Sequence, residues 1–63
     1  MTYRLTDIVH ETARHFVIRV DYGFEVYRVG ATAAERCARI GFKGDEGLNR
    51  AVREVERRES DGA

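Results

Sequence analysis

The chain has no proline, a single cysteine, a single lysine and no long apolar run. Each shortage excludes something. A lone Cys37 cannot close an internal disulfide, and no Cys, His and Asp cluster has the spacing of a metal site. Without proline or a low-complexity stretch, nothing marks a linker or a domain boundary. The longest apolar run, Phe16-Val17-Ile18, is far too short to span a bilayer. The N-terminus Met-Thr-Tyr-Arg-Leu-Thr-Asp lacks the apolar core of a signal peptide, so the expected compartment is the cytoplasm. Cys37 reads as a small filler residue.

What remains is a 63-residue chain, 43% hydrophobic and 35% charged. That composition builds one small domain over residues 1–63, with 61–63 expected to fray. A domain of this size buries only about 60% of its unfolded surface. With no disulfide or metal to help, self-association is the expected extra support. Formal net charge is zero, from 11 basic and 11 acidic residues. Residues 1–44 carry seven positive and five negative charges, and residues 45–63 four and six. Neither half has the positive bias typical of a phosphate-binding chain.

The expected fold is α+β. Leu48, Ala51, Val52 and Val55 recur at helical spacing, which predicts a long C-terminal helix over 45–60 with one narrow apolar stripe. Glu46–Arg50 and Glu54–Arg58 support it as i,i+4 pairs, while Gly47 weakens its first turn. Phe16 to Val20 and Phe24 to Val29 read as a β-hairpin around Asp21-Tyr22-Gly23. With a three-residue loop, alternation sends Phe16, Ile18, Val20, Phe24 and Val26 to one face. Val17, Arg19, Glu25, Tyr27 and Val29 go to the other. Thr6 to Arg14 predicts a short N-terminal helix, with Thr6 as its cap and Ile8, Val9, Thr12 and Ala13 on its less polar side. Segment 32–41 reads two ways. Thr32-Ala33-Ala34-Glu35 is a capping-box pattern, but Ala38, Ile40 and Phe42 alternate as a strand. A third strand would steady the hairpin, giving a three-stranded meander over 15–42.

No catalytic constellation emerges. His10 and His15 lie five apart, not the four of a zinc-protease helix. Gly41, Gly44 and Gly47 lack the Gly-Lys-Ser/Thr ending of a phosphate loop. Cys37 has no histidine nearby in sequence, and Ser60 sits near the frayed end. No cofactor, metal or small-molecule substrate is implied, and the chain reads as non-enzymatic.

Two functions follow. The first is an interaction or accessory protein, homodimeric or bound to another protein, using Val17, Arg19, Tyr27, Val29 and Arg39 as its face. The second is a nucleic-acid binder with contacts at Arg19, Tyr27, Arg28, Arg36 and Arg39. Sheet side chains do enter the major groove in some proteins. The order of strands then a striped helix, over the last three-quarters of the chain, resembles the sheet modules of AP2 domains and integrase arm-binding domains. That resemblance implies DNA contact through the sheet, against which Glu25 would repel phosphate. A contiguous arginine stripe would favour DNA, whereas interleaved Asp21, Glu25 and Glu35 would favour a protein partner.

Overall fold

A computed structural model describes residues 7–61, which form four strands and one helix in α+β order: β1 (Ile8–Glu11), β2 (His15–Val20), β3 (Gly23–Arg28), β4 (Glu35–Ile40) and α1 (Gly44–Asp61). The strands make one antiparallel sheet in sequence order. None of the described helices is long and apolar enough to cross a membrane.

Where a helix over Thr6 to Arg14 is expected, Ile8–Glu11 is a strand and Thr12 to Arg14 a turn. Ile8, His10 and Glu11 pair with Ile18, Val17 and Phe16, and the register slips between Ile8 and His10. By ordinary strand alternation Ile8 joins the cluster of Phe16 and Ile18 while Val9 packs against the helix-covered cluster on the opposite side. Two adjacent apolar residues serving opposite faces imitate a helical stripe. Thr12 makes a turn instead of continuing a helix. Its Oγ1 accepts the N–H of His15 at 3.1 Å, and its own N–H donates to His15 O at 2.8 Å. Thr6, the expected cap, lies outside the described residues.

Segment 32–41 resolves as strand from Glu35, making β4 the third strand of the expected meander and the fourth of the sheet. The capping-box reading fails because Glu35 pairs across the sheet with Arg28. A second bulge falls between Val26 and Tyr27 in the β3–β4 register. Both outer strands are therefore irregular, and β4 presents Glu35, Arg36 and Arg39 to solvent. Bulges and charge are the usual protection of a sheet edge.

The hairpin loop is one residue shorter than expected. Val20 pairs with Gly23, leaving Asp21-Tyr22 as the turn. That single residue reverses the phase of β3 against β2. Val17 therefore sits opposite Val26, Arg19 opposite Phe24, Phe16 opposite Tyr27, and Ile18 opposite Glu25. The expected grouping of Phe24 and Val26 with Phe16 and Ile18 is thus corrected. Gly23 permits the tight turn with φ +148°, a region that L side chains avoid.

Two cores result. Helix α1 covers Val17, Phe24 and Val26 with Ala51 and Val55, and Leu48 packs alongside. On the opposite face Phe16, Ile18 and Tyr27 cluster with Ile8 and Val20. Phe16 and Tyr27 stack with centroids 5.3 Å apart. The buried line of α1 is Gly47, Ala51 and Val55, so it begins at Gly47 and not at Leu48, where the apolar stripe starts. A Cβ at Gly47 would lie 1.8 Å from Phe42 O and 2.8 Å from a Phe24 ring carbon. Gly47→Ala should therefore destabilise the fold by about 1–3 kcal/mol through overpacking, although alanine is the better helix former by about 1 kcal/mol. Urea unfolding reads the sign directly, and a stabilised variant would contradict this packing.

Candidate interaction surfaces

The expected interaction face does not form one surface. Val17 is fully buried beneath α1, and Arg19 shares that side of the sheet by register. Tyr27 and Arg39 lie on the opposite face, on either side of Glu25 in the strand register. Val29 follows β3 and is 51% exposed, its N–H donating to Arg14 O at 2.7 Å. The shorter hairpin loop accounts for the division.

The five expected nucleic-acid contacts divide in the same way. Arg28 pairs with Glu35 at the end of the sheet. Arg36 reaches Glu25 at 3.5 Å, and Arg39 sits opposite Glu25 in the register. Tyr27, Arg36 and Arg39 do come together, but around a carboxylate. Arg19 stands apart from them.

Glu25 is the centre of that group. It is 7% exposed on a strand that projects it away from α1. Tyr27 Oη donates to its Oε1 at 2.9 Å, and Tyr22 Oη donates to Oε2. Burial pushes its acidity toward the neutral form more than any other single influence. The two tyrosine hydrogen bonds and the charges of Arg36 and Arg39 together outweigh it, holding the carboxyl below the usual range. In return, burial and the Glu25 hydrogen bond raise the Tyr27 phenol, and the Glu25 hydrogen bond raises that of Tyr22. Glu25 is thus an ionised, satisfied anchor beneath the arginines.

A second ionisable cluster ties α1 to the first turn of the sheet. His15 is buried, and its Nδ1 lies 2.9 Å from Glu59 Oε2, the oxygen that also accepts from Thr12 Oγ1. The Thr12 and then the His15 contact hold Glu59 below the ordinary carboxylate range. Sequence reading missed this cluster because its members lie 44 and 47 positions apart. On the other flank Arg58 donates to Cys37 O at 3.1 Å and to Glu54 at 2.5 Å. Both expected helix pairs form, Glu46–Arg50 at 3.0 Å and Glu54–Arg58 at 2.5 Å.

Among the described residues, two surfaces at opposite ends of the sheet are open to a ligand. Phe42 is 44% exposed beside the hairpin turn, with the Arg50 guanidinium 3.9 Å above its ring, and Tyr22 is exposed at the same end. At the other end a cleft of about 630 Å³ opens between the ends of the strands and the last turns of α1, and Arg14, Arg28, Val29, Arg57 and Asp61 are among its lining residues. Among the described residues, no group of three His, Cys, Asp or Glu is placed to hold a metal ion. Comparison with protein-family models, curated proteins and solved structures gives no match to this chain.

Proposed function

We propose that this chain is a non-catalytic interaction module that binds protein in preference to duplex nucleic acid. One observation carries the reading: carboxylates are interleaved among the sheet arginines. Glu25 sits among Tyr27, Arg36 and Arg39, and Glu35 holds Arg28. A duplex rewards an unbroken row of cations, because each neutralised phosphate releases counterions. A surface of alternating sign rewards a partner of alternating sign, and protein surfaces have that character. The perturbed carboxylates Glu25, Glu54 and Glu59 are all engaged in internal contacts, which is the pattern of structural ion pairs.

The size of the chain makes a second copy one such partner, and the exposed aromatics Tyr22 and Phe42 at one end offer it a contact. Size-exclusion chromatography with light scattering at tens of micromolar should report about twice the 7.2 kDa chain mass. A species that stays at one chain mass at 100 µM removes self-association from the reading. A low-salt gel shift tests the reading as a whole. The duplex should migrate unretarded, and retardation that fades steeply with salt would favour nucleic acid.

A further inference from the structure

We propose that residues 1–6 act as an intramolecular strap over the sheet face opposite α1, closing an apolar surface that would otherwise pair with a second copy. The starting point is burial that no element within residues 7–61 explains. On that face Ile18 is 1% exposed, Phe16 6% and Tyr27 8%, with Glu25 buried beside them. Helix α1 does not bury them, because it packs on the other side, over Val17, Phe24 and Val26. Cross-strand neighbours shield a side chain laterally, but side chains stand upright on a sheet and need a second layer above them.

Among the described residues nothing supplies that layer. The β3–β4 loop, 29–34, is exposed at every position, and so are Ala13 and Arg14 in the β1–β2 turn. Tyr22 reaches Glu25 from the hairpin turn but is itself exposed. The burial belongs to the single chain, so it needs no second copy. The cover therefore comes from outside residues 7–61. Gly62 and Ala63 follow a helix that packs on the far side, and neither carries more than a methyl group. Residues 1–6 are left.

Three features of that segment suit the role. It leads through Asp7 into β1, an edge strand whose Ile8 already belongs to the cluster of Phe16 and Ile18. It is long enough, since six extended residues reach about 20 Å, and the four strands, about 4.8 Å apart, span roughly 14 Å. Its sequence alternates, with Met1, Tyr3 and Leu5 against Thr2, Arg4 and Thr6. An extended strap would set the first three on the sheet and the others in water. With the strap lifted, Phe16, Ile18 and Tyr27 would join Ile8 and Val20 in one apolar patch. The same patch on a second copy would meet it across a two-fold axis, so strap and face-to-face dimer compete. The self-association proposed above uses the Tyr22 and Phe42 end instead, so either idea can fail without the other.

The test uses the whole chain. A nuclear Overhauser spectrum should connect the Tyr3 ring or the Leu5 methyls with Phe16, Ile18 or Tyr27. An isotope-filtered spectrum of mixed labelled and unlabelled chains should lack those contacts, because strap and face belong to one molecule. The Y3A/L5A variant should lower the folding constant in urea about tenfold or more, bind a hydrophobic dye more strongly, and gain mass over the parent in light scattering. T2A/T6A, which trims the opposite side of the strap, should match the parent in all three. No contact between residues 1–6 and the face would overturn the proposal, as would a Y3A/L5A variant equal to the parent. Contacts seen only between labelled and unlabelled chains would assign the cover to a second copy and overturn the strap. Where Y3A/L5A fails to fold, the parent's own contacts decide between these outcomes.

Discussion

Gly23→Ala should unfold most of the protein at 37 °C. A Cβ at this position would lie 2.1 Å from Ile40 O and 2.7 Å from Phe42 O, both of them backbone atoms that cannot swing aside. The residue also holds φ +148°, so the substituted chain must strain its own backbone or pull the hairpin turn away from the end of β4. Strain of this kind costs about 1–3 kcal/mol, and forcing atoms into a packed site costs about 1–3 kcal/mol more. A 63-residue domain has roughly 3–9 kcal/mol to lose. Gly41→Ala is the matched control, because a Cβ there meets nothing within 4 Å. It should leave stability unchanged or raise it by about 0.4–1 kcal/mol through a stiffer unfolded chain. Circular dichroism melts of the two variants measure the contrast. Equal melting temperatures would contradict the close approach of the turn to β4.

Glu25→Ala should cost about 2–4 kcal/mol, although the residue it removes is polar and on the sheet face away from α1. It leaves the Tyr27 hydroxyl without the acceptor it now has at 2.9 Å, and removes the counter-charge between Arg36 and Arg39. The partial exposure of Arg36 keeps the figure below that of a fully buried pair. Glu25→Gln retains an acceptor oxygen and should lose only about 1 kcal/mol.

The same carboxylate sets a pH dependence. Its folded acidity lies below the ordinary value of 4.5, so the unfolded chain binds the proton first as pH falls. The stability it supplies is fully present above about pH 5 and disappears as pH drops through the folded value. Glu54 and Glu59 are displaced in the same direction, by Arg57 and by Thr12 and His15 respectively, and add to the loss. Urea midpoints measured from pH 7 to pH 3 should hold level and then fall below pH 5, and Glu25→Gln should flatten part of that fall. A midpoint that rises on acidification would contradict the ion-pair assignments.

Helix α1 was legible because its evidence is local. Apolar spacing, charge pairs and the acidic first turn all lie within Gly44–Asp61, and each is visible without knowing what the helix touches. Strands β2 and β3 were legible from their β-branched and aromatic content. The relation between them was not, because it depends on whether Gly23 belongs to the turn or to the strand. Period-2 structure converts that single uncertainty into a reversal of every side chain. Strand β1 was hidden because it is only four residues long, its two apolar residues Ile8 and Val9 are adjacent, and its register slips between Ile8 and His10, so no alternation is left to read. The Glu25 group was legible in part: its association with Tyr27 and Arg39 survived the reversal, because all three lie on β3 and β4. The His15–Glu59 contact left no sequence signal, since long-range pairing of a strand with the last turn of a helix has no periodicity to read.

The central claim is that interleaved carboxylates cancel the phosphate affinity of the sheet arginines. Fluorescence anisotropy of a labelled 20-bp duplex tests it most directly, comparing the parent chain with the Glu25→Gln, Glu35→Gln double variant across a salt series. The parent chain should not bind at 20 mM salt. The variant, freed of both carboxylates, should bind weakly with a log–log salt slope of about −2 to −3, corresponding to roughly two or three phosphates contacted. Parent-chain binding with that slope or steeper would contradict it.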